Sequence, residues 1–185
     1  MFFARNENAG SAENGKRGKM RRDKWLIVAA LAFSVAGDWM LGRRGEGTLR
    51  FECGVALFFV AHVGFLLFCL HHGRPRWLFL GALLAGYGLF FALRLAPAIP
   101  GPTLWGATLL YMLVSCFSLA AAAGLRLPTP CRQLFFAGIA CIVFSDTLIA
   151  CREFLHTGKW MYHYLMAPTY YASHILVAAA VAGRF

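Results

Sequence analysis

Residues 24–41 read KWLIVAALAFSVAGDWML, a basic flank followed by an apolar run with one acid in it, Asp38. Residues 132–151, RQLFFAGIACIVFSDTLIAC, repeat the arrangement around Asp146. Lys24 precedes Asp38 by 14 residues and Arg132 precedes Asp146 by 14. At roughly 1.5 Å of helical rise per residue each carboxylate lies about 21 Å in, one depth reached twice. A carboxylate in hydrocarbon costs at least ~2.5 kcal/mol, so it is paired, protonated or turned toward a wet cavity. The chain has only 8 acidic residues and places two of them there.

Outward from these stretches the composition has the same character. Hydrophobic residues make up 59% of the chain and charged residues 14%, against about 45–50% and about 25% in soluble domains. Six apolar segments follow one another, near 24–41, 51–70, 77–96, 103–124, 132–151 and 161–182. Short separators rich in Gly, Pro and basic residues divide them, such as Gly42-Arg43-Arg44-Gly45 and Pro128-Thr129-Pro130. The expected fold is all-α: a polytopic membrane helix bundle of about six transmembrane helices. At 185 residues the chain has no room for a second globular domain. Residues 1–22 are polar and basic and should form a mobile cytoplasmic tail; residues 23–185 form the transmembrane domain. Residues 19–36 also resemble a cleavable signal peptide. However, the apolar run continues through Trp39-Met40-Leu41, and cleavage after Ala36 would leave Asp38 at a new N-terminus.

The net charge of +10 is concentrated at one end, with seven of the 18 basic residues between Arg5 and Lys24. This is a topology signal that holds the N-terminus in the cytoplasm. A nucleic-acid role is not supported, since no aromatic residues interleave with the basic ones as single-strand binding requires. Contact with anionic lipid headgroups fits the charge. The six cysteines contain no C-x-x-C pair and read as small buried hydrophobes.

Other polar residues fall inside the spans. His62 lies mid-span and shares a face with Gly54 and Phe58. Ser34 and Gly37 precede Asp38, and Ser145 precedes Asp146. Near the end, Trp160-Met161-Tyr162-His163-Tyr164 reads as an interfacial aromatic belt, and Pro168 suits the first turn of the last helix. His174 shares a face with Tyr170 and with Tyr171, four and three residues earlier. A structural reading stands beside the functional one: buried carboxylates capped by serine hydroxyls, and histidines that bond between helices. No metal-binding spacing links these residues, and none is assigned.

Four segments together resemble the YhhN family of lysoplasmalogenase-like membrane proteins. Ser34, Gly37, Asp38 and Leu41 resemble its S-x-x-G-D-x-x-L signature, and Phe51 to His62 is similar to F-x-x-G-x-x-x-F-x-x-A-H. Phe144-Ser145-Asp146-Thr147-Leu148 is similar to F-x-S-D-x-L with one residue fewer, and Thr169 to His174 to T-Y-Y-x-A-Q, with His174 where the family carries Gln. The family's N-terminal helix pair, with its Lys-Pro element, is expected to be missing from this chain, which preserves the parity of the topology.

The resemblance implies hydrolysis of the vinyl ether bond of lysoplasmalogens, releasing a fatty aldehyde and a glycerophospho-ethanolamine or glycerophosphocholine. The partner is then a lysophospholipid in the bilayer, and no cofactor is expected. Vinyl ether cleavage needs one protonated acid and one ionised base. Two neighbouring carboxyls in a low-dielectric cavity divide these roles, because both cannot easily ionise. Asp38 and Asp146 are therefore the candidate catalytic pair, with acid and base unassigned. His62, Ser145, Tyr170, Tyr171 and His174 are the candidate binding or orienting residues. A small transporter or lipid-binding protein using the same aspartates is the alternative reading, and a purely structural subunit is a third.

With the N-terminus inside, an even number of spans returns the C-terminus to the cytoplasm, most simply in the plasma membrane. A reporter fused after Phe185 should therefore read cytoplasmic together with one on the tail. Opposite readings at the two ends would rule out the even count.

Overall fold

The computed structural model describes residues 3–42, 48–156 and 162–183, with backbone only for 3–22, 48–49 and 162–163. Its helices are α1 (Phe3–Gly42), α2 (Thr48–His72), α3 (Trp77–Phe90), α4 (Pro102–Ala123), α5 (Thr129–Leu155) and α6 (Ala167–Ala182). Six helical spans are long and apolar enough to cross a membrane, and they coincide with the six sequence segments to within a few residues. The chain is thus a multi-pass helical membrane protein. Prolines stand in the first turn of α4, α5 and α6, where the missing N–H costs no hydrogen bond.

Two sequence expectations change. The basic tail was expected to be mobile, yet α1 runs unbroken from Phe3. Its Ala, Glu, Lys, Arg and Met residues favour helix, and extending a formed helix avoids the cost of nucleation. Cys53 is exposed rather than buried, while Cys69, Cys116 and Cys131 are buried as expected. Part of the aromatic belt, Trp160 and Met161, lies outside the described residues.

The chain divides into two compact units, residues 1–68 and 69–185. In the first, the buried positions of α1 among the residues with described side chains are Asp23, Ile27, Ala30, Ser34, Gly37 and Leu41. They recur in alternating steps of three and four, the seam of left-handed helix packing. Gly54, Phe58, Ala61, Phe65 and Phe68 do the same on α2. Small residues let these helices approach: a Cβ on Gly37 would lie 3.1 Å from Phe58, one on Gly54 2.8 Å from Leu41, and one on Gly64 3.0 Å from Ala30.

In the second unit α5 packs against α4 and α6 and also touches two π-helical turns, Phe91–Leu95 and Tyr162–Met166. Phe135, Ile139 and Ile142 of α5 are buried, as are Val177 and Ala180 of α6. Leu80, Cys116 and Ala120 form a small core joining α3 to α4. At one end the α2–α3 and α4–α5 connections run backbone to backbone. Gly73 and Leu125 form an antiparallel bridge, and Arg126 N–H donates to His72 O at 3.0 Å. A side chain at Gly124 would strike the carbonyl of Arg74, so this crossing needs glycine. Large apolar side chains such as Trp77, Leu78 and Ile175 remain outside the packing, as lipid-facing residues do.

Gly138 fixes the α5–α6 spacing, since a Cβ there would lie 2.7 Å from Val177 Cγ2 and 3.1 Å from the Ser173 carbonyl. Gly138→Val should therefore destabilise the fold by about 1–3 kcal/mol or more through overpacking. Gly81 has open space around its Cβ position, so Gly81→Ala should be neutral or stabilise by up to about 1 kcal/mol. Unfolding in detergent would compare the two.

Candidate functional site

Asp146 lies on the face of α5 that carries Val143, Thr147 and Ala150, positions three and four residues apart. On α4 the facing positions are Thr108, Tyr111, Met112 and Ser115, with the same spacing. Tyr87 and Phe90 of α3 and Leu95 of the following π turn close the third side. Together these residues line a half-open cavity of about 50 Å³. Leu95 on the cavity wall belongs to a π turn, a feature that recurs at functional sites.

The polar groups of this cavity are organised in pairs. The Tyr111 hydroxyl donates to Asp146 Oδ2 at 2.7 Å. This is an ordinary O–H···O separation, and it joins helices through residues 35 positions apart. Thr147 Oγ1 donates to Val143 O at 2.8 Å and shares a 3.3 Å hydroxyl contact with Tyr87. Thr108 Oγ1 donates to Leu104 O at 2.8 Å, a bond within its own helix. Ser115 is buried, and its Oγ has no hydrogen-bond partner among the described residues.

The remaining sequence candidates fall in three places. Tyr170 is buried on α6 and stands within electrostatic range of the Tyr111 hydroxyl. His174 lies against Tyr170 with ring centroids 4.4 Å apart, and its Nδ1 sits 3.0 Å from Tyr170 O. Nδ1 also lies 3.2 Å from Ser173 Oγ, and Nε2 is buried without a hydrogen-bond partner among the described residues. Tyr171 packs edge-on to Tyr170 but is 61% exposed and points away from the buried face. Ser145 is buried, and its Oγ donates to Met166 O at 3.3 Å, tying α5 to the turn before α6. Asp38 and His62 belong to the other unit. Asp38 is half-buried beside the Gly37 contact, and His62 is 1% exposed, edge-on to Phe65 at 6.3 Å.

The structure thus joins Asp146 on α5 to Tyr111 on α4. Of the residues around this cavity, sequence reasoning singled out Asp146 but not Tyr87, Tyr111, Ser115 or Thr147. A signal for the α4 residues existed: Thr108, Tyr111 and Ser115 recur at three- and four-residue steps through an otherwise apolar segment. Among the described residues no three His, Cys, Asp or Glu side chains converge closely enough to hold a metal ion.

A membrane-embedded helical bundle with a carboxylate and hydroxyls on an internal cavity defines the class of this protein. Residues 11–181 match the YhhN family model, and the chain belongs to the YhhN family. Neither curated proteins nor solved structures gave a match.

If Tyr111 and Asp146 act as one unit, a double-mutant cycle of Tyr111→Phe and Asp146→Asn in detergent unfolding should show coupling of about 1 kcal/mol or more. Purely additive losses would mean that the hydrogen bond contributes nothing net.

Proposed function

We propose that the chain is a lysoplasmalogenase-like hydrolase that cleaves the vinyl ether bond of lysoplasmalogens to a fatty aldehyde and a glycerophospho-ethanolamine or glycerophosphocholine. Membership of the YhhN family supports the reaction class. The observation that carries the chemistry is the Tyr111–Asp146 hydrogen bond at 2.7 Å on the wall of a cavity. It presents a carboxyl held in place by a donor, inside a span where such a group is costly unless it is used or paired. In this reading Asp38 and Asp146 supply acid and base, one carboxyl giving a proton to carbon and the other taking one from water. His62, Ser145, Tyr170, Tyr171 and His174 are the residues proposed to bind or orient the lysophospholipid. The protein then works within the plasma membrane with its N-terminus inside.

The test uses purified full-length protein and three variants. Asp38→Asn and Asp146→Asn should each lower aldehyde release by roughly 10²–10⁴-fold. The double variant should be scarcely slower than either single one, because residues that act as a unit do not lose activity additively. Single variants that keep more than about a tenth of the wild-type rate would return both aspartates to a structural or transport role.

A further inference from the structure

In the π turn that ends the third span, consecutive side chains meet different surroundings. Leu93 is 65% exposed, Leu95 is 5% exposed and lines the cavity, and the exposed Arg94 stands between them at its rim. The turn packs against α5, and the charge of Arg94 is felt at the Cys151 thiol on that helix. Cys151 follows Thr147 by four residues and Ala150 by one, and both of these line the cavity. Among the described residues the Arg94 guanidinium has no ion pair and no hydrogen bond. Arg94 is the penultimate residue of its span, the level at which lipid headgroups lie. A cation placed there without a carboxylate takes its anion from outside the chain, and the guanidinium fork matches the oxygens of a phosphate. The cavity itself suits the other half of an amphiphile. Its wall is almost wholly apolar, its volume of about 50 Å³ takes a few methylenes, and its open side lets the rest of a chain leave.

We propose that Arg94 binds the phosphate of the lysophospholipid and that the first carbons of its chain lie in the apolar cavity beside Asp146. The choice of ligand rests on the hydrolase reading, while Arg94 is a residue that reading does not use. From Cys151 back to Asp146 is five residues, roughly 7.5 Å of helical rise. That is about the reach of a glycerol unit between its phosphate and its first ether oxygen. With the phosphate on Arg94, the glycerol lies along α5 and the bond between glycerol and chain arrives at the level of the carboxyl. Arg94 then acts as a ruler. It selects which bond of the lipid stands beside Asp146, and a lipid without a phosphate loses that register.

The experiment reads binding, independently of turnover. Native mass spectrometry of the purified full chain compares two saturated, uncleavable probes, an alkyl lysophosphatidylcholine and the matching alkylglycerol, which lacks the phosphate. Arg94→Gln should weaken binding of the phospholipid by roughly 10–100-fold, the loss expected for a hydrogen-bonded charge. Binding of the alkylglycerol should stay as in wild type, which also shows that the variant is folded. Arg94→Lys keeps the charge without the fork and should fall between the two. Arg126→Gln, beyond the opposite end of α4, should change neither probe. Ala150→Leu narrows the cavity and should weaken both. Equal loss of both probes in Arg94→Gln, or loss of neither, would overturn the phosphate contact. Unaltered binding in Ala150→Leu, or displacement of the phospholipid by an equal concentration of chainless glycerophosphocholine, would overturn the seat for the chain. A phosphate preference that depends on Arg94, in a wild type that releases no aldehyde from a lysoplasmalogen, would overturn the hydrolase reading and leave the binding site standing.

Discussion

The hydrogen bond from Tyr111 to Asp146 makes an acidic residue tolerable in the fifth span. Hydrocarbon offers a carboxyl no solvation, and the nearest relief is a donor on a neighbouring helix held at the right distance. The 2.7 Å separation requires α4 and α5 to keep their register to within a fraction of an ångström. Much of the second unit is consistent with that requirement. The alanine-rich, buried end of α4 and the contact of Gly138 with α6 are the close approaches that pack helices where water supplies no hydrophobic drive.

The same packing leaves room for chemistry. Residues three and four apart on α4 and α5 line the cavity while the small residues beside them are buried, so a dense interface and a cavity share the same helices. Tyr87 reaches the cavity from α3. A site built from side chains of several helices is more rigid than one built on loops, which suits chemistry that needs a carboxyl held in place.

The spans were legible in the sequence because a bilayer imposes a length and an apolar composition that few other constraints mimic. That Asp146 needs a partner was legible for the same reason: an acid at that depth must be paired, protonated or wet. Its partner was not. Tyr111 sits 35 residues away, and a tyrosine in an apolar run looks the same whether it faces lipid, core or a carboxylate. The orphan hydroxyl of Ser115 depends on the shape of the cavity, which no periodicity encodes. The outward turn of Tyr171 was readable in principle, since adjacent helical residues cannot share the face that Tyr170 buries. The helical continuation of α1 through the basic tail was hidden by polarity, which indicates a lack of burial but not a lack of helix.

The most direct measurement of the central claim is product release by the purified wild-type protein from two lysolipids that differ only in one bond, a 1-alkenyl and a saturated 1-alkyl form. Protonation at carbon needs the double bond. The account predicts aldehyde from the alkenyl lipid and no cleavage of the alkyl lipid. Equal turnover of both, or of neither, would contradict it.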